Sequence, residues 1–154
     1  MSAWHDRWRD AEGFWDLAQA GYDPKSRFGN PAASNAILAV IAANDALCLR
    51  LGRRQPKGDS HTEAAAFLHQ ACRGTEWESE ASGKCRQLRE MLAQKTAVQY
   101  LGKPLLADRL RRLMNHAESF IDWARGVLAT VEAPTPRANA RMKQNHQGRA
   151  NGSS

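Results

Sequence analysis

The sequence predicts an all-α protein, an up-and-down antiparallel bundle of about five helices followed by a disordered basic tail. Apolar residues recur at steps of three and four over long stretches, which is the spacing of one helix face. No useful stretch alternates with a period of two, and β-branched residues are few, so strands are not expected. Short connections separate the helical stretches and favour antiparallel neighbours. We therefore divide the chain into a bundle, residues 1–132, and a tail, residues 133–154.

The first predicted helix runs from Ser2 or Ala3 to Ala20 and carries an aromatic stripe. The stripe consists of Trp4, Trp8, Ala11, Trp15 and Ala18. Such a stripe is typical of a core face, and it also suits a subunit interface, because aromatic side chains anchor both. Glycine and proline residues between positions 21 and 31 then predict a loop.

The central helix is predicted around Ala36–Leu51 (AILAVIAANDALCLRL). It is apolar on nearly every side, which is typical of a helix buried in a core. Asn30 is expected to cap this helix, with Pro31 at its first position. Gly52 follows where the helix should end.

Two further helices are predicted after a basic turn. Ser60 and Glu63 form a capping-box pattern, which opens a short helix that ends near Arg73. Its inward residues are expected to be Ala65, Leu68 and Cys72. The next helix is predicted from about Ser79 to Val98. One side of it carries Leu88, Met91, Leu92 and Lys95.

The last predicted helix, from about Pro104 to Val131, has the strongest periodicity in the chain. Its stripe is Leu106, Leu110, Leu113, Ala117, Phe120, Ala124, Val127 and Val131. Pro134 and Pro136 end it. The polar residues beyond have almost nothing to bury, which predicts a disordered tail.

The net charge of +6 lies largely on that tail. Its basic residues are Arg137, Arg141, Lys143 and Arg149, and it holds no acid. A basic tail can bind nucleic acid through phosphate contacts, and it can equally be a solvated segment.

Composition and motifs exclude several classes of protein. The three cysteines form no CxxC pattern, and no HExxH spacing is present, so neither a metal nor another cofactor is expected. Gly-rich phosphate loops and a Ser-His-Asp order are also absent. No apolar run reaches the ~18–20 residues of a membrane span. The charged, Trp-rich N-terminus is no signal peptide, which favours a cytoplasmic protein without a membrane partner.

Asp45 is the most unexpected residue of the central helix. A buried carboxylate in so apolar a run needs a partner, for which Lys95 and Arg89 are the natural candidates. Alternatively, Asp45 faces the edge of the bundle. A cluster of Asp45, Lys95 and Tyr100 would form a ligand site or fix the helix register. His61, in the first turn of its helix, is counted with this cluster. It either closes the preceding loop onto the bundle or serves in proton transfer.

The turn after the central helix holds three basic residues, Arg53, Arg54 and Lys57. They are candidates for contacts to RNA phosphates.

The order of these segments resembles the HEPN family of helical bundles. The similar segments are NPAASNAILAVIAANDALCLRLG, the basic turn, TEAAAFLHQA, LREMLAQKTAVQYLG and LADRLRRLMNHAESFIDWARGVL. Together they cover roughly residues 14–128, and the chain looks closest to stand-alone actinobacterial HEPN proteins. The resemblance implies a helical bundle that dimerises, in a toxin–antitoxin or defence setting with a nucleotidyltransferase or antitoxin partner.

Catalytic HEPN proteins are metal-independent RNases that use an Arg and a His four to six residues apart. The His moves a proton and the Arg stabilises charge on the phosphate. Where this motif is expected, the chain has Lys95 and no histidine. Arg111 and His116 match the spacing further on, inside the closing helix. They lie about 140° apart around it, whereas Arg109 and His116 fall on nearly one face.

These observations predict a HEPN-like protein that acts by self-association and by binding a partner or RNA, without catalysis. One alternative is a metal-independent RNase that uses Arg111 and His116 in a dimer. Another is a structural interaction module whose contact surface is the face of Trp4, Trp8 and Trp15.

Overall fold

The computed structural model describes residues 2–26, 29–52, 54, 61–99 and 101–132, with His61 and Thr62 described by their backbone alone. The described residues form six helices and no strand, so the predicted all-α bundle is confirmed. The helices are α1 (Ala3–Gly21), α2 (Asn30–Gly52), α3 (His61–Cys72), α4 (Glu78–Ala93), α5 (Lys95–Gln99) and α6 (Ala107–Glu132). The predicted tail, residues 133–154, and Ser60 of the capping box lie outside the described residues.

Helix α2 is the centre of the bundle and contacts all five other described helices. Most of its side chains are buried, among them Ile37, Val40 and Leu47 with no exposed surface. Contrary to the prediction that no apolar run is long enough, its length and composition would suffice for a membrane span, but 72% of the apolar window is buried inside the bundle. Among the described helices α2 alone meets that criterion, and its burial is that of a core helix.

Contacts along the helices give their relative directions. Arg7 of α1 contacts Asp45 near the end of α2, so these two helices are antiparallel. Asn44 contacts the backbone of Ala64, and Gly52 lies against Ala71, so α2 and α3 run in the same direction. Helix α4 runs antiparallel to both α3 and α6.

The predicted inward faces of α3 and α6 are buried except at the two ends of the α6 stripe, where Val131 is half-buried and Leu106 is exposed. In α3 these residues are Ala65, Leu68 and Cys72, and in α6 the stripe from Leu110 to Val127 is at most 3% exposed. Leu106 is an exception because α6 begins at Ala107 rather than at Pro104, which leaves the Leu106 side chain 73% exposed. The tryptophan stripe of α1 packs against the bundle. Trp15 is buried, and Trp4 and Trp8 are partly buried against the core.

The single helix predicted from Ser79 to Val98 is wrong at its C-terminal end. The chain turns at Gln94, whose N–H donates to Met91 O at 3.1 Å, three residues back, instead of continuing the helical ladder. Val98 N then bonds to Gln94 O at 3.0 Å and starts α5. The turn separates the end of α4 from α5, and Gln94 faces the start of α6.

Asn30 joins two parts of the fold rather than capping α2. Helix α2 begins at Asn30 itself, and the side-chain amide reaches the loop before α6. Its Nδ2 donates to Lys103 O at 2.7 Å, and its Oδ1 accepts from Leu105 N at 3.0 Å. Both hydrogen-bonding groups of the amide are therefore used to hold the loop that leads into α6.

All three cysteines are buried free thiols. Burial raises the pKa of Cys48 strongly, raises that of Cys72 to about 11 and raises that of Cys85. Because the thiolate is the nucleophile, we expect none of them to react with Ellman's reagent in the folded protein at pH 8, and all three to react in guanidinium chloride. Reaction of any thiol within the mixing time of the folded sample would contradict the described burial.

Candidate functional site

Helices α4 and α6 lie side by side and are joined by polar contacts along their length. Near the start of α4, Trp123 Nε1 donates to Glu80 Oε2 at 2.7 Å. In the middle, Lys84 Nζ donates to Ser119 Oγ at 2.8 Å. Near the end of α4, Glu90 faces α6. These contacts fix the register of the two helices and therefore the position of every side chain between them.

A cleft of about 370 Å³ opens between the end of α4 and the first half of α6. Its lining residues, which define the α4–α6 cleft, are Glu90, Met91, Ala93, Gln94, Arg109, Arg112, Leu113 and His116. The four residues from α6 follow one another at steps of three, one and three, so they share one face of that helix. The cleft is thus a direct consequence of the helical spacing of these residues.

The α4–α6 cleft carries more positive than negative groups. Its one carboxylate, Glu90, lies 3.9 Å from Arg112 Nη2 and 3.4 Å from His116 Nδ1 through the same oxygen. The Arg112 side chain is 72% exposed and that of Glu90 is 44% exposed, so their attraction is weak in water. Arg109 forms no ion pair within the described part of the chain. A stronger anion can therefore compete with Glu90 for these cations.

The chemistry of these groups suits a phosphate. The guanidinium group presents a planar fork of donors that matches phosphate oxygens, and a histidine beside it can donate or exchange a proton. Over the described ranges, no group of three His, Cys, Asp or Glu side chains could hold a metal ion. The arrangement can bind a phosphate anion with groups of the protein alone.

Of the two residues predicted for catalysis, His116 lines the α4–α6 cleft and Arg111 does not. Arg111 is exposed and donates to Asp108 at 2.7 Å on its own helix. The difference follows from the helical geometry, because Arg111 lies far around α6 from His116, whereas Arg109 and Arg112 lie close to it. Within one chain, the arginines beside His116 are therefore Arg109 and Arg112.

Asp45 is buried, and Arg7 of α1 is a cation that pairs with it. Arg7 of α1 donates from Nη2 at 2.7 Å and from Nε at 3.2 Å to the same Asp45 oxygen. Lys95 and Arg89 were the predicted partners, and Arg7 was not among them. Arg89 is exposed on α4. The pair links α1 to α2, and neither residue lines the α4–α6 cleft.

The predicted cluster of Asp45, Lys95 and Tyr100 stays a prediction. Lys95 is half-buried at the start of α5, while Tyr100 lies outside the described residues. The side chain of His61 is likewise outside them.

The basic turn is described only at Arg54, since Arg53 and Lys57 fall outside the described residues. Arg54 is exposed and its guanidinium carbon lies 5.0 Å from the centre of the Phe67 ring, a cation–π contact. Arg54 and Phe67 line another pocket, which shares no lining residue with the α4–α6 cleft.

Sequence reasoning noted Arg109 but missed Arg112 and Glu90 as members of the site. The spacing of Arg109, Arg112 and His116, at steps of three and four, could have identified the two arginines. No local pattern marks Glu90, because it belongs to the site only through the packing of α4 on α6.

No family model matches the sequence, and no curated protein is significantly similar to it. The HEPN resemblance therefore stays a prediction. The geometry of the α4–α6 cleft is the basis on which a function can be assigned.

Proposed function

We propose that the chain is a HEPN-like bundle that binds RNA through phosphate contacts in the α4–α6 cleft, and that it acts by association rather than by catalysis. The observation that carries this proposal is the convergence of Arg109, Arg112 and His116 on one cleft with a single weakly paired carboxylate. Two guanidinium groups and an imidazole beside each other favour an anion, and RNA is the polyanion that the HEPN resemblance suggests.

The resemblance also motivates the proposed setting. It suggests a homodimer, with a nucleotidyltransferase or an antitoxin as protein partner, in a toxin–antitoxin or defence system. The cytoplasmic location is suggested by the charged, Trp-rich N-terminus. The burial of α2 inside the bundle agrees with a chain that works outside the membrane.

The direct test compares two neighbouring arginines of α6. Arg112 lines the cleft, while Arg111 is equally exposed but pairs with Asp108 outside it. We expect Arg112→Gln to weaken binding of a labelled single-stranded RNA about fourfold at physiological salt, because one phosphate contact is lost. Arg111→Gln should change the dissociation constant by less than about twofold, since its charge is only a distant contributor. Fluorescence anisotropy measures both, and equal effects of the two variants would contradict the proposal.

Glu90→Gln is expected to strengthen RNA binding. The substitution removes the one negative charge of the cleft and releases Arg112 and His116 from a competing carboxylate. The gain should be about threefold, and it should shrink in high salt because the repulsion that it relieves is screened. The matched control is Glu118→Gln on α6, an exposed carboxylate that does not line the cleft. Weaker binding by Glu90→Gln would show that the carboxylate supports the site rather than competing in it.

A metal-independent RNase is the second candidate, and one contact favours it. The Glu90 carboxylate lies 3.4 Å from His116 Nδ1, where it can orient the imidazole and leave Nε2 for proton transfer. Either Arg109 or Arg112 would then stabilise charge on the phosphate. Arg111, the arginine chosen from the spacing alone, would have to act from a second copy of the chain.

Cleavage of a mixed RNA pool in EDTA separates the two candidates. An RNase would cleave as the wild type and fail as His116→Ala, while His69→Ala, which changes an exposed histidine of α3, would cleave normally. The binding function predicts no cleavage by any of the three proteins.

A further inference from the structure

A second cavity of about 390 Å³ adjoins the α4–α6 cleft. The two share Glu90, Arg112 and His116 as a common wall. Beyond this wall, the second cavity is lined by Glu80, Gly83, Lys84, Arg86 and Gln87 of α4. The two cavities therefore meet at these three residues, and together they define what we call the groove along the α4–α6 pair.

The groove is long enough for more than one phosphate. Gly83 lines only its second cavity and Gln94 only the first. At 1.5 Å per residue, the stretch of α4 between them measures about 16 Å. Each nucleotide of a stacked strand advances about 3.4 Å along the strand's axis. Successive phosphates lie farther apart than this because the backbone winds around the axis, so more than one phosphate, but only a few, fit along this length.

The second cavity is lined only by polar or charged residues and glycine. It offers no aromatic or aliphatic anchor of the kind that dominates protein–protein contacts. Beyond the shared residues, its two cations, Lys84 and Arg86, outnumber its one carboxylate, Glu80, so the positive character of the first cavity continues but is weaker. Such a lining favours a hydrogen-bonding polyanion over a folded protein surface.

Lys84 and Arg86 differ in whether their side chains are available to bind a ligand. Lys84 is half-buried and donates to Ser119 and Gln87, and burial lowers the pKa of its ammonium group although Glu80 and Asp122 oppose this. Its charge is committed to joining α4 and α6. Arg86 is exposed and forms no ion pair or hydrogen bond in the described part of the chain, so its guanidinium group can turn to a ligand.

We infer that the whole groove binds a single-stranded RNA segment across several nucleotides, with one phosphate at Arg109 and Arg112 and a further phosphate at Arg86. This inference rests on the proposed RNA binding and adds to it a second phosphate subsite and a minimum ligand length. A mononucleotide fills only the first subsite. An oligonucleotide fills both, and its affinity depends on Arg86.

The test uses the full chain with fluorescein-labelled hexauridylate, and with unlabelled uridine monophosphate as the competitor that carries one phosphate. Arg86→Gln should weaken hexauridylate binding about fourfold and leave the competition constant of uridine monophosphate unchanged. Arg112→Gln should weaken both. The matched control is Arg89→Gln, which changes an exposed arginine of α4 that lines neither cavity and should alter neither constant. Equal melting temperatures of the three variants and the wild type establish that each is folded.

The outcomes distinguish the second phosphate subsite from the RNA binding on which it rests. If Arg86→Gln behaves like Arg89→Gln while Arg112→Gln still weakens binding, the second subsite is refuted and the proposed function stands. If hexauridylate does not bind, or binds all variants equally, the proposed function fails and the inference fails with it. If hexaglutamate displaces hexauridylate as well as unlabelled hexauridylate does, the groove fits an acidic peptide and the inference of RNA is overturned.

Discussion

Replacing Arg7 by alanine is expected to lower the free energy of unfolding by about 3 kcal/mol. The guanidinium group donates two hydrogen bonds to Asp45, whose side chain is only 9% exposed. The substitution takes both away from a carboxylate that lies among apolar residues of the central helix, where its charge is costly to keep. The loss is measured as a shift of the guanidinium chloride midpoint by tryptophan fluorescence.

Asp10→Ala is the matched control for this prediction. Asp10 accepts a hydrogen bond from the same guanidinium group at 2.8 Å, but its side chain is 53% exposed. An exposed pair contributes little, so the control should cost less than about 0.5 kcal/mol. Similar costs for Arg7→Ala and Asp10→Ala would mean that burial of Asp45 does not govern the strength of the pair.

Replacing Phe120 by alanine is expected to cost about 4 kcal/mol. Phe120 has no exposed surface and meets the Trp123 ring edge-on, with 5.9 Å between ring centres. Its removal takes away a large apolar group from the core side of α6 and leaves a cavity that its helical neighbours cannot close. The same denaturation experiment measures the effect.

Leu106→Ala is the control for the core substitution. Leu106 was predicted to belong to the same stripe as Phe120, yet its side chain is 73% exposed. We expect it to cost less than about 0.5 kcal/mol. A loss below about 1.5 kcal/mol for Phe120→Ala would contradict a tightly packed site at this position.

The helices could be predicted from the sequence because their signals are local. The apolar run of α2 and the stripe of α6 each lie within one segment, and their period alone identifies a helix. The turn at Gln94 could not be predicted, because residues on both sides of it keep a helical pattern and the break is a backbone event at one residue. The exposure of Leu106 has a similar cause. The apolar periodicity of the stripe extends to Leu106, although the helix begins only at Ala107.

The site was predictable only in part, for a related reason. His116 and the arginines near it share one helix, so their spacing carries information about their positions. Glu90 joins them from α4, and Arg7 joins Asp45 across 38 positions of sequence. Such pairs depend on how the helices pack, and a single sequence does not encode them in any local pattern.

The α4–α6 cleft and the basic tail are both candidates for RNA binding, and one comparison distinguishes them. One protein carries Arg109→Gln and Arg112→Gln in the cleft. The other carries glutamine in place of the four basic tail residues, Arg137, Arg141, Lys143 and Arg149. Both are compared with the wild type for binding of single-stranded RNA over a series of salt concentrations.

The cleft variant should bind about tenfold more weakly at physiological salt, and its plot of log affinity against log salt should be shallower by about 0.7, the contribution of the one phosphate that both arginines contact. The tail variant should keep the affinity of the wild type within about threefold. The opposite pattern, with full affinity in the cleft variant and none in the tail variant, would contradict RNA binding by the cleft.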